Sequence, residues 1–130
     1  MDTYTSLTLE SCTPYIQFND VRYNRILLEH TDAYDIFLLC WKKGQQTCIH
    51  DHPEGGCWMR VLQGALEEQI VSYPDLVQQS SVTLTAGQSG FKQGVSPLHS
   101  IRALEDSVSV HLYMPSNYKA TVYNPASTCT

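Results

Sequence analysis

Cys48-Ile49-His50-Asp51-His52-Pro53-Glu54-Gly55-Gly56-Cys57 is the stretch that decides the fold. Side chains on an extended backbone alternate between faces, so His50 and His52 point the same way and can grip one metal ion together. His99, in Pro97-Leu98-His99, would reach them from a distant strand and close a three-nitrogen site. Three protein ligands leave further coordination positions open, which separates catalytic metal sites from closed structural ones. Ligands drawn from distant segments must meet inside, and that favours a small closed barrel of the jelly-roll type. The plainer alternative is three unrelated surface or core histidines. All-imidazole sites suit Zn, Cu, Fe and Ni alike.

Outward from this stretch the chain reads as many short strands. They are expected near Val21–Leu28, Tyr34–Trp41, Cys57–Gln63, Leu66–Tyr73, Ser81–Leu84, Gly90–Lys92, Leu98–Leu104, Ser107–Met114 and Tyr118–Tyr123. Turn signals fall at Lys43-Gly44, Pro53-Glu54-Gly55-Gly56, Gln63-Gly64, Ala86-Gly87 and Gln93-Gly94. No helical periodicity runs beyond about two turns. Short antiparallel strands without helices mean an all-β sandwich or barrel. Length predicts a single domain over residues 1–130, of which 1–20 form a short N-terminal extension.

Composition narrows the function. The net charge of −5 argues against nucleic acid, which rewards basic patches. No apolar run approaches the ~20 residues of a membrane span. Met1-Asp2-Thr3-Tyr4 lacks the basic start and apolar core of an export signal. The five cysteines, an odd number in a chain read as unexported, are expected to be reduced thiols. Cytoplasmic residence and a monomer or weak oligomer follow as expectations.

Three further groups could carry chemistry. Ser109, His111 and Tyr113 alternate with Val108, Val110, Leu112 and Met114, so period 2 puts a hydroxyl, an imidazole and a phenol on one face. That set is either a hydrogen-bonded relay lining a cavity or the polar outer face of a sheet. Arg25, in Arg22-Tyr23-Asn24-Arg25, is either a carboxylate clamp or a solvated surface arginine. Cys57 could ligate metal, pack or react.

Taken together these residues resemble the cysteine dioxygenase family of thiol dioxygenases, within the cupin superfamily. The likeness runs from about Val21 to Pro115. It is carried by Arg22-Tyr23-Asn24-Arg25, by Leu39-Cys40-Trp41 through Cys48-Ile49-His50-Asp51-His52, Cys57 and Leu62-Gln63-Gly64, and by Pro97-Leu98-His99 with Ser109-Val110-His111-Leu112-Tyr113. The resemblance implies a cupin jelly-roll barrel and Fe(II) on His50, His52 and His99. It implies that Arg25 holds the substrate carboxylate with Tyr23 beside it. Cys57 and Tyr113 would form a thioether crosslink, with Ser109 and His111 orienting Tyr113. The implied reaction adds O2 to the sulfur of L-cysteine. 3-Mercaptopropionate is the alternative thiol, disfavoured by Arg25 where that branch commonly carries glutamine. A non-catalytic metal-binding cupin would not need Arg25, Cys57 and Tyr113. A Zn or Mn cupin hydrolase or isomerase would want a glutamate where this chain has Gly56. Glu54 is a competing carboxylate ligand, although its Pro and Gly neighbours argue for a turn tip. Only 24 residues precede Arg25, fewer than in animal members, so a lid or wall is expected to be absent or supplied by another chain.

Overall fold

A computed structural model describes residues 2–123. Helices α1 (Asp2–Ser6) and α2 (Leu9–Cys12) and a 3-10 turn (Thr13–Tyr15) precede eight strands. These are β1 (Asn24–His30), β2 (Asp35–Trp41), β3 (Cys57–Gln63), β4 (Ala65–Val71), β5 (Gln78–Thr85), β6 (Ser89–Lys92), β7 (Leu98–Ala103) and β8 (Ser107–Tyr113). One sheet runs β1-β2-β8-β3-β6 and the other β5-β4-β7, all pairs antiparallel. Two facing antiparallel sheets make the expected all-β jelly roll.

Sequence periodicity located every one of these strands, β3 with both ends correct. It failed at two places. The helices each span about one turn, too short for a 3.6-residue stripe to show. What holds α2 is a cap: Thr8 Oγ1 accepts from the Ser11 amide at 3.0 Å, and the Ser11 hydroxyl accepts from the Thr8 amide at 2.9 Å. The strand expected at Tyr118–Tyr123 is not one; only Val122 pairs, across an isolated bridge to His50.

Register decides which face of the five-stranded sheet does what. Leu39 lies opposite Ser109, which lies opposite Val61; Phe37 lies opposite His111, opposite Met59. This face looks into the barrel, where Leu39, Trp41, Met59 and Val61 meet Leu66, Leu84, Ile101 and Ala103. The other face carries Ile36, Leu38, Cys40, Val108, Val110 and Leu112. In a bare barrel it would be the outside. Here Tyr4 and Cys12 are buried against it, with Leu7, Leu9, Ile16 and Phe18 packed around. Arg60 Nη2 fixes this cover by donating to the carbonyls of Tyr4 (3.0 Å) and Leu7 (2.7 Å). Residues 4–18 of the N-terminal extension therefore serve as a second wall of core. Among the described residues no helix is long and apolar enough to cross a membrane.

Cys12, Cys40 and Cys57 are free thiols, but Cys48 is disulfide-bonded. The expectation of reduced thiols throughout is corrected at Cys48: an odd count guarantees one unpaired cysteine but excludes no pair.

Candidate metal centre and active site

His50 follows β2 on a loop and bridges His99 of β7, each backbone amide bonding the other's carbonyl. His52 lies on the same loop, its amide donating to the Gly94 carbonyl at 3.0 Å. The ring nitrogens of the three converge, with one potential ligand atom from each lying within 4.8 Å of the others. Their tautomers follow from their outer partners. His50 Nδ1 is 2.7 Å from the Cys48 carbonyl, and His99 Nδ1 is 2.6 Å from a Glu68 carboxylate oxygen. Both partners only accept, so both Nδ1 atoms carry the proton and both Nε2 atoms are bare. Those two bare nitrogens face each other at 3.0 Å. His52 is buried with neither ring nitrogen bonded. Lone pairs turned on one another, beside an unsatisfied buried imidazole, are a costly arrangement that a cation resolves. The rings are held neutral, as ligands must be. Burial pushes His52 down to about 2, helped by His99 and His50. Burial also lowers His50 and, further, His99.

The position where a general cupin has a glutamate is closed in this chain. Gly56 has φ +111°, and a Cβ there would lie 2.4 Å from the Phe91 ring. Glu54 is exposed at the turn tip and outside the cluster, so it is not a fourth ligand in this arrangement.

His50 and His99 line a cavity of about 360 Å³, within the size range of small-molecule sites. Arg25 lines its wall, with its guanidinium 3.7 Å above the Phe37 ring and 5.3 Å from the Tyr113 ring centre. Tyr23 stacks on Trp41 at 4.6 Å. Cys57 and Tyr113 are direct partners across β3 and β8, so their side chains share the inner face. Burial pushes the Cys57 thiol up to about 12, with hydrogen bonding to Tyr113 and the Arg25 charge partly offsetting it. Burial, then Cys57, raises the Tyr113 phenol, which stays protonated.

Ser109 and His111 are buried and lie on the cavity side, so the polar face is not a solvated one. The indole N–H of Trp41 donates to Ser109 Oγ at 3.0 Å. The serine proton then has His111 Nε2, 2.7 Å away, as its acceptor, which leaves the imidazole proton on Nδ1. Burial holds His111 down to about 3, with the Arg25 charge adding to the effect. The His111 and Tyr113 rings are nearly parallel with centres 6.4 Å apart, and the bonding partners of the phenol are Arg25 and Cys57.

Sequence reasoning passed over Trp41, Phe37 and Glu68. Glu68 did leave a signal: it shares its β4 phase with Leu66 and Ile70, an acid where an apolar residue belongs. It is 4% exposed, bonds His99 and is neutralised by Lys92 Nζ at 3.2 Å. It is an outer carboxylate that fixes the tautomer of His99, the arrangement common behind histidines that hold metals.

Fold and site together define a cupin with three converging histidines that could hold a metal ion. A cupin of Desulfovibrio desulfuricans superposes with a TM-score of 0.61 at 25% identity, covering 77% of this chain and 89% of that one. A double-stranded β-helix protein of Klebsiella pneumoniae superposes with a TM-score of 0.71 at 18% identity, covering 85% and 91%. The family profile for cysteine dioxygenase type I matches residues 1–125, and the chain belongs to that family. Cysteine dioxygenase type 1 of Rattus norvegicus is 32% identical over 110 residues, 78% of this chain and 55% of that protein. The Bos taurus protein of the same name is 31% identical over 124 residues, 88% of this chain and 62% of that protein. The chain thus spans little more than half the length of the curated relatives it matches.

Proposed function

We propose that this chain is a non-haem iron thiol dioxygenase that adds both atoms of O2 to the sulfur of L-cysteine, giving cysteine sulfinate. One observation carries the reading: the nitrogens of three neutral imidazoles converge, and two of those residues, His50 and His99, line a cavity with an arginine, a buried thiol and a phenol. Fe(II) on His50, His52 and His99 would supply the charge that favours thiolate over thiol and the redox capacity that O2 requires. The sulfur gives up the electrons that O2 takes, so no outside reductant is needed.

The remaining work belongs to the side chains. Arg25, held flat over Phe37, is placed to bind the substrate carboxylate in a bidentate grip and so to fix the position of the sulfur. Tyr23, backed by Trp41, forms the wall beside it. The Tyr113 phenol keeps its proton and can donate a hydrogen bond to the reacting atoms. Ser109, itself held by Trp41, fixes the His111 imidazole beside it in a single tautomer. Cys57 and Tyr113, opposite one another, are the pair for the thioether; a sulfur–carbon bond forms, two hydrogens leave, and O2 is the oxidant.

The test is O2 uptake and product analysis on iron-loaded protein with L-cysteine, 3-mercaptopropionate and cysteamine. One O2 should be consumed per sulfinate formed, fastest on L-cysteine. A charge-assisted carboxylate contact is worth ~1.5–3 kcal/mol, so Arg25→Ala should lower kcat/KM on cysteine about 10- to 150-fold. Cysteamine, which has no carboxylate, should be little affected. Equal losses on both thiols, or O2 uptake without sulfinate, would contradict the assignment.

A further inference from the structure

Asp51 sits between two of the metal ligands and, by alternation, turns away from them. It is 9% exposed, and among the described residues it has no ion-pair partner. A buried carboxylate is costly unless donors surround it. Among the described residues its side-chain donors come from the segment after β8: the Tyr118 hydroxyl (2.5 Å), the Thr121 amide (2.9 Å) and the Tyr123 hydroxyl (3.3 Å). The Asp51 amide returns a bond to the Thr121 carbonyl at 3.2 Å, and the Tyr123 amide bonds the Ile49 carbonyl at 2.9 Å.

The segment so gripped belongs to neither sheet; its pairing is the single bridge of Val122 to His50. Yet Tyr118, Ala120 and Val122 line the same cavity as Arg25 and Tyr23. Strand residues, with Tyr23 and the Thr47–His50 loop, build the remaining walls, and Tyr118, Lys119, Ala120 and Val122 build one more. A wall without a ladder depends on side-chain anchors for its position, and here those anchors end on one carboxylate.

We propose that Asp51 is a positioning residue that fixes residues 118–123 as one wall of the pocket, and that this wall limits the size of the thiol admitted. The size limit rests on the thiol dioxygenase reading; the positioning role does not. Three converging donors make Asp51 the hinge between the metal-binding loop and substrate selection.

The experiment uses the full chain, iron-loaded and kept anaerobic. Amide hydrogen exchange at Thr121 and Tyr123 and equilibrium binding of L-cysteine and of the dipeptide cysteinylglycine are measured in wild type, Asp51→Ala and Asp51→Asn. In Asp51→Ala, exchange should speed up about tenfold or more, the scale of one lost hydrogen bond. Its preference for cysteine over the dipeptide should fall by a similar factor, with iron content retained. Asp51→Asn, which keeps one acceptor oxygen, should restore part of both effects. If Asp51→Ala fails to fold, the Tyr118→Phe/Tyr123→Phe variant removes two donors without opening the core and is read the same way. Unchanged exchange overturns the positioning role. Faster exchange with unchanged preference overturns the size limit. Failure of the wild type to bind either thiol counts against the thiol reading itself and against the size limit, while exchange still decides what Asp51 does.

Discussion

The two faces of β8 are built from one alternating run and end in opposite environments. Val108, Val110 and Leu112 face a dry layer closed by the N-terminal helices. Ser109, His111 and Tyr113 face the cavity, backed by Trp41, Arg25 and Cys57. For β8 the usual assignment, apolar side inward and polar side to water, is inverted: its polar side faces the barrel interior, beside the apolar cluster of Leu39, Met59, Val61 and Leu66, and its apolar side is made a core by residues 4–18. The protein thus has two apolar clusters, one inside the barrel beside the polar groups and one between the sheet and the N-terminal helices.

That division can be broken from either side. The largest effect is expected on the dry face. Leu112 is fully buried, and Leu112→Ala should cost ~2–5 kcal/mol of stability and a corresponding drop in Tm. Metal content and turnover per folded molecule should be unchanged. A selective loss of activity at full stability would mean the two faces are not separate in function.

Acid should find the polar face. Burial, chiefly, holds His52 to about 2 and His111 to about 3, whereas both titrate near 6.5 when unfolded. Between those values the unfolded chain binds protons that the folded chain refuses, so stability falls as pH falls from about 6.5 toward 3. Each such imidazole contributes a slope of about 1.4 kcal/mol per pH unit across that window. Urea titrations of metal-free protein between pH 7 and pH 4 read it directly. His111→Gln should flatten the slope and Leu112→Ala should leave it alone; a flat wild-type profile would show that the imidazoles are not held neutral.

The smallest effect is on the crosslink. Aerobic incubation of the iron-loaded protein with thiol should yield a chain two hydrogens lighter by mass spectrometry, and Cys57→Ala should abolish that species while keeping metal and part of the turnover. A species that persists in Cys57→Ala would place any oxidation elsewhere.

How much was legible follows from the range of the forces. The strands and the inner face of β8 were visible, because period 2 is a local property of Ser109, His111 and Tyr113. The convergence of His50, His52 and His99 was visible as a pattern, since few other uses place an HxH pair before a glycine turn. The inversion of the faces was not. Nothing in Val108, Val110 and Leu112 says that Tyr4 and Cys12, a hundred residues away, will cover them. Glu68 shows in the sequence only as an acid in an apolar phase, and Asp51 not at all, because their roles exist only in the donors that other segments bring. The Tyr118–Tyr123 segment has strand composition but no partner strand, and its place is set by Asp51 instead.

Three neutral histidines, His50, His52 and His99, converge as a candidate site for one metal ion. The most direct measurement is iron content per chain after anaerobic loading and desalting, for wild type, His99→Ala and His111→Ala. Wild type and His111→Ala should each retain close to one iron per chain, and His99→Ala should lose most of it. Full iron retention in His99→Ala, with the fold intact, would contradict the account.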